Sequence, residues 1–425
     1  MNNENMKKFV NGTRFFVVLF VTMLFSVAVL AQGPGQNPLP AQVITDVQPP
    51  NPKGSNPKPE DATKAILAAF DQYEVIGMGA AHGNKDLDDF ILDLIRNPAL
   101  PGKNSDIAVE CGNSLYQPIL DRYIAGDNVA LSDVRQVWRN TTQPMCGVSA
   151  FYEQFFPLVR RINQRLPPEK KLRILAGDPP IDWSKVKSRK DLGHFPGQRD
   201  TNIASVMENE VLSKYRKALM LFGIVHLYHG GGSDPFPGAV ALYEKNYPGV
   251  TLVIADHTGF GNWGSLAKYN DELEGRLAPW PVPSLVQQMK GTWLADLLDS
   301  TYSSGSVAFM TVVGKDGKTS QSQSSPLRVE KGFSKMVDAY LYLGPRDLLL
   351  NETKPAEVFL NKDYMAELQR RGAIMGGGPI TDQANPGKLS DADFSPFFYD
   401  PNEFQKFTQV APSSPQPLSK KKIPF

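Results

Sequence analysis

Residues 73–95 read YEVIGMGAAHGNKDLDDFILDLI, and this stretch decides the fold. It opens on a short apolar run, YEVIGMG at 73–79, closed by glycine, the pattern of a fully buried strand. Asn84 then stands as an N-cap ahead of Leu87, Phe90, Ile91, Leu94 and Ile95, whose spacing places them on one face of a helix. A buried strand leading into an amphipathic helix is the first half of a parallel βαβ unit. The alternation recurs outward from there. SDIAVE at 105–110, KLRILAG at 171–177, KALMLFG at 217–223 and TLVIADH at 251–257 are further candidate strands, and helices fit 114–125, 149–166, 200–215 and 237–246. This predicts an α/β fold, a three-layer sandwich with a mostly parallel central sheet and a site at the C-terminal ends of the strands.

The predicted domain spans residues 60–372. Pro59, Glu60 and Asp61 start its first helix, and a strand within MVDAYLYLGP and a helix over 362–371 complete it at one edge. Residues 32–59 hold eight prolines among Gly, Asn, Gln and Lys, a tether that cannot bury a core, and residues 373–425 read as an extended tail. At the start, Lys7, Lys8 and Arg14 precede an uncharged run, Phe15 to Ala31, ending in small residues. That is the pattern of a signal peptide over 1–31, cut near Ala31-Gln32, which predicts export to a periplasmic or extracellular space and a mature chain without a membrane-spanning segment. The mature chain keeps 42 Lys and Arg against 43 Asp and Glu, so no basic field exists to hold nucleic acid. Export permits a disulfide, for which only Cys111 and Cys146 are present; two separate buried thiols are the alternative.

Chemistry-bearing residues gather just beyond the candidate strands. His82 follows the first, Glu110 closes the second, Asp178 follows the third, His226 the fourth, and Asp256 with His257 closes the fifth, while His229 lies three residues after His226. A carboxylate terminating an apolar strand, as Glu110 does, is costly to bury without a partner. His82 and His226 share a Gly-x-x-His spacing, in Gly79-Ala80-Ala81-His82 and Gly223-Ile224-Val225-His226. His82, Glu110 and His226 would bind one divalent cation, with zinc, manganese and iron all suited to two imidazoles and a carboxylate. Asp178 would serve as base or ligand-orienting group; Arg199, His229 and His257 are candidates to contact substrate. No Gly-x-Ser-x-Gly elbow is present.

The paired tetrapeptides with a strand-end glutamate between them resemble the superfamily that groups ChaN-like haem-binding uptake proteins, TIKI and TraB metalloprotease-like proteins, and erythromycin esterases. The likeness is closest to the ChaN-like branch. It runs through Glu110, Gln117, Leu120-Asp121, Tyr123, Gly126, Trp138, Tyr152, Pro157, Arg199-Asp200-x-x-Ile203-Ala204 and GIVHLYHGG, over roughly residues 70–260. Many relatives carry a glutamate shortly before the first histidine, where this chain has Gly79 and Ala80. With the His/His/Glu site, the resemblance implies a metal-dependent hydrolase of ester or peptide bonds acting on a small-molecule or peptide substrate; likeness to the erythromycin esterases implies a metal-free variant. In the metal-free form His82 is the base on water and Glu110 fixes its tautomer. Its alternatives are a haem- or iron-binding envelope protein, with aromatics such as Phe151-Tyr152, Phe155-Phe156, Tyr340 or Tyr342 against the porphyrin, and a degenerate enzyme serving as a scaffold.

Overall fold

The structure, a computed structural model, describes residues 52–80, 83–193, 195–230, 237–258, 267–303, 309–313, 319–323, 332–352, 354–375 and 394–395. Its strands are β1 (Glu60–Asp61), β2 (Val75–Gly79), β3 (Asp106–Asn113), β4 (Arg173–Asp178), β5 (Ala218–Phe222), β6 (Thr251–Asp256), β7 (Ser284–Val286), β8 (Phe309–Val313), β9 (Thr319–Gln323), β10 (Ala339–Tyr342), β11 (Lys354–Pro355) and β12 (Phe394–Ser395). The helices are α1 (Ala62–Ala69), α2 (Lys85–Arg96), α3 (Gln117–Ala125), α4 (Leu131–Arg139), α5 (Ala150–Asn163), α6 (Arg199–Glu210), α7 (Ala239–Tyr243), α8 (Ala267–Leu277), α9 (Trp293–Ser303), α10 (Ala356–Leu360) and α11 (Lys362–Met375).

Eight strands form one sheet in the order β1-β7-β10-β6-β2-β5-β3-β4. The six from β10 to β4 run parallel, and β7 alone pairs antiparallel with its neighbours β10 and β1. All five apolar runs of the sequence are strands here. Strand alternation distributes their side chains between two cores. Ile107, Val109, Leu219 and Leu221 face the layer containing α1 to α5. Ala108, Ala218, Met220 and Phe222 face the layer containing α6 to α9. The expected three-layer α/β sandwich is therefore observed. The helix after β2 starts as its sequence dictates: Asn84 accepts the Leu87 N–H at 3.2 Å, and Leu87, Phe90, Ile91, Leu94 and Ile95 are buried.

Two features went beyond the expected pattern. Helix α4 was not anticipated, although its Val134, Val137 and Trp138 are buried at helical spacing. Residues 52–59, read as part of a tether, lie against the domain: the Lys53 and Gly54 N–H groups donate to Asp296 Oδ2, and Ser55 pairs with Thr292. At the other end α11 continues to Met375, and Phe394–Ser395 pairs with Lys354–Pro355. Residues 1–51, with the apolar segment and most of the proline-rich stretch, lie outside the described residues. Among the described residues no helix is long and apolar enough to cross a membrane.

Cys111 and Cys146 are joined in a disulfide with Cα atoms 5.3 Å apart, closing a loop of 35 residues. The bond fastens the segment after α4 to β3 one residue from Glu110. Closing a loop of this length stabilises by about 3–4 kcal/mol in the chain-entropy model.

Candidate functional site

Strand β5 is inserted between β2 and β3, so the ends of β3, β4 and β5 are brought side by side by a crossover rather than by sequence proximity. In open parallel sheets this is where ligands bind. The residues gathered there form one buried ionic cluster. At its centre is Arg199, the first residue of α6, with a side chain only 10% exposed. Its Nη2 donates to Glu110 Oε1 at 2.6 Å and its Nε to Asp178 Oδ1 at 3.0 Å. Both of these ion pairs reach from the start of α6 across to strands β3 and β4.

Each carboxylate has further partners. The Gly223 N–H, at the end of β5, donates to Glu110 Oε2 at 2.6 Å. A side chain at Gly223 would crowd this contact, since a Cβ there would lie 3.2 Å from Glu110 Oε2. Asp178 accepts from Thr142 twice, from the backbone N–H at 2.5 Å and from Oγ1 at 2.7 Å. Burial raises the Asp178 pKa, and Arg199 and Thr142 oppose that rise by stabilising the anion. Asp178 thus ties the disulfide-bearing segment to the cluster and pairs with Arg199.

His226 joins from the turn after β5. Its Nδ1 lies 2.7 Å from Asp200 Oδ1, and its Nε2 lies 3.4 Å from Arg199 Nη1 and 3.6 Å from Glu110 Oε1. Burial pulls the imidazolium down, but the Glu110 charge and the Asp200 hydrogen bond outweigh it and push His226 up to about 9. At neutral pH it is therefore charged, facing Glu110. Asp200 was visible in the sequence only as the second residue of an Arg-Asp pair. Its role became legible once α6 was seen to place Arg199 and Asp200 on either side of one imidazole. Thr142 left no signal.

Two further histidines are committed elsewhere. His229 has Nδ1 2.7 Å from Glu244 and Nε2 2.7 Å from Asp338, which push it up to about 10 against the opposing effect of burial. His257 has Nδ1 2.7 Å from the Tyr340 hydroxyl and Nε2 2.8 Å from Glu274. Both rings join elements of the domain through both of their nitrogens, apart from the Arg199 cluster. His82 lies outside the described residues.

No three of His, Cys, Asp and Glu among the described residues are grouped to hold a divalent metal. The guanidinium of Arg199 already sits between Glu110, Asp178 and His226, and its charge opposes a second cation there. Of the aromatics considered for a porphyrin, Phe155 and Phe156 are fully buried, Phe156 stacks on Trp138, and Tyr340 and Tyr342 lie in the opposite core.

Among solved structures the chain is similar to a Bacillus cereus protein, at 10% identity and a TM-score of 0.41 over 70% of this chain and 96% of that one. It is also similar to a succinoglycan biosynthesis protein, at 9% identity and a TM-score of 0.39 over 68% of this chain and 94% of that one. A third is ChaN of Campylobacter jejuni, described with cofacially bound haem, at 16% identity and a TM-score of 0.30 over 46% of this chain and 86% of that one. No protein-family model and no curated protein matches the sequence.

Proposed function

We propose that this protein is an exported, metal-independent hydrolase of ester or peptide bonds, working by acid–base chemistry at the ends of β3, β4 and β5. The observation that carries the reading is the imidazole of His226, oriented at Nδ1 by Asp200 and charged at Nε2 beside Glu110. A positioned imidazolium can protonate a leaving group, and the Glu110 charge beside it keeps the ring protonated. Arg199 holds Glu110 and Asp178 in place, and its Nη1 points toward the same atom, where it would stabilise negative charge developing on a carbonyl oxygen. His82, which the sequence places three residues after Gly79, would take the proton from the attacking water. The apolar segment at 15–31 and the disulfide both support export.

The test is hydrolysis of p-nitrophenyl esters and of a mixed peptide library by the wild type, His82→Ala and His226→Gln, each with and without EDTA. Turnover that survives EDTA and falls by at least ~100-fold in both variants is expected. Loss of activity in EDTA would return the reading to a metal site. A Soret band surviving gel filtration, with no turnover, would replace it with haem binding. No turnover and no bound group would leave the scaffold.

A further inference from the structure

On the opposite face of the sheet from Arg199, a small cavity opens between α2 and α5. It is lined by Ala80, Asp88, Ile91, Ser149, Phe151 and Tyr152, and its free volume of about 10 Å³ is the space of one water-sized group. Asp88 Oδ2 is closed to solvent and has no hydrogen-bond partner. An uncompensated carboxylate oxygen in such a place is costly. Among the described residues the cation that acts on it, Lys85, has its Nζ bonded to Asp89 on the same helix.

The surroundings add negative charge. Glu352, whose Oε1 accepts from Ser149 Oγ and the Phe151 N–H, acts on Asp88 together with Asp89. Burial and these neighbours hold the Asp88 carboxyl well above the usual carboxylate range. The Tyr152 hydroxyl is likewise raised, by burial first and then by Glu110, Asp88 and Glu352. Two aromatic rings, Phe151 and Tyr152, stand edge to face at 4.9 Å in the same wall. An unpaired carboxylate oxygen, a negative potential and aromatic walls around a one-atom space are the elements of a cation pocket. The shape is wrong for a divalent metal, which needs several oxygen ligands at once.

We propose that this cavity binds the primary ammonium group of a small ligand, with Asp88 Oδ2 as its acceptor. The ammonium nitrogen has the size of a water, supplies three donors, and carries the charge that the pocket lacks. This is a site apart from the Arg199 cluster, and it stands whether or not that cluster hydrolyses a bond.

The experiment is thermal unfolding of the purified protein in methylammonium chloride, tetramethylammonium chloride or sodium chloride at matched ionic strength, for wild type, Asp88→Asn and Asp88→Ser. Methylammonium should raise the wild-type midpoint by at least ~2 °C over sodium, by binding the folded state alone. Tetramethylammonium, too bulky for the space, should not, and both variants should lose the increment while still melting cooperatively. Equal shifts in all three salts, no shift in any, or an increment that persists in either variant would overturn the proposal.

Discussion

Strand β3 carries a buried carboxylate near each end, and the two are handled in opposite ways. At the amino end, Asp106 is fully buried and accepts from two arginines: Arg216 through Nε at 2.7 Å and Nη2 at 2.8 Å, and Arg173 through Nε at 2.8 Å. Both arginine side chains keep about a third of their surface exposed, 36% for Arg173 and 32% for Arg216. The charges are redundant and partly wet, so the cluster is cheap and robust. At the carboxyl end the numbers invert. A single arginine, 10% exposed, serves two carboxylates that are 5% and 0% exposed, with the His226 imidazolium as the other cation among the described residues. A stability-driven design has no need of such a cluster, because apolar replacements of similar volume commonly match buried ion networks. The lesson is that one strand carries a carboxylate sealed on a single buried arginine at one end and a carboxylate shared by several partly wet arginines at the other.

The comparison breaks first at its central cations. Replacing Arg199 by Ala leaves Glu110 and Asp178 without their shared partner and should cost about 3–5 kcal/mol in urea unfolding. A cost near that of Arg173→Ala would mean that the two ends are not different in kind.

The pH dependence sharpens it next. His226 titrates near 9 in the folded protein, above the usual 6.5. Its contribution is therefore complete below about pH 6.5 and lost as pH rises through 9, a change of about 3 kcal/mol. His229, pushed up to about 10, adds to the loss over an overlapping window. His226→Gln should flatten the profile between pH 6.5 and 9 and leave only the His229 share. An unchanged profile would mean that His226 is neutral in the fold, with Nε2 accepting from Arg199.

A smaller effect is expected at Asp256, which ends β6 at the same edge of the sheet but has no network. Its Oδ2 is buried without a partner, and burial pushes its carboxyl up to about 7. A raised carboxyl favours the folded state only while protonated, so its contribution is present below about pH 4 and lost as pH rises through 7. Asp256→Asn should therefore unfold at higher urea than wild type at pH 8, by about 1–3 kcal/mol, with no gain at pH 4. Smallest of all, Arg173→Ala should cost about 1 kcal/mol or less, because Arg216 still holds both oxygens of Asp106. A larger loss, measured in the same urea series, would show that the redundancy is only apparent.

Much of the candidate site is legible in the sequence itself. Glu110, Asp178 and His226 were identified from strand ends alone, because an apolar run followed by an ionisable residue is a local pattern. The limits of local patterns show at His229 and His257, which share the same strand-end placement. Glu244 and Asp338 claim the first, Tyr340 and Glu274 the second, at sequence separations of 15, 109, 83 and 17 residues. Nothing near either histidine in the chain announces those partners. Asp200 was missed for a related reason: adjacent to Arg199 in sequence, it serves a histidine 26 residues away.

What the sequence determined by itself is the set of buried strands, the helix cap at Asn84 and the three-layer order, because periods of two and 3.6 and the chemistry of a cap act over a few residues. What only the tertiary structure decided is which charges meet. The insertion of β5 between β2 and β3 brings Glu110 to Gly223 and His226, and the start of α6 carries Arg199 across 89 residues of chain to Glu110. A buried charge is stable only beside its counter-charge, and the identity of that counter-charge depends on strand order, which no local pattern contains.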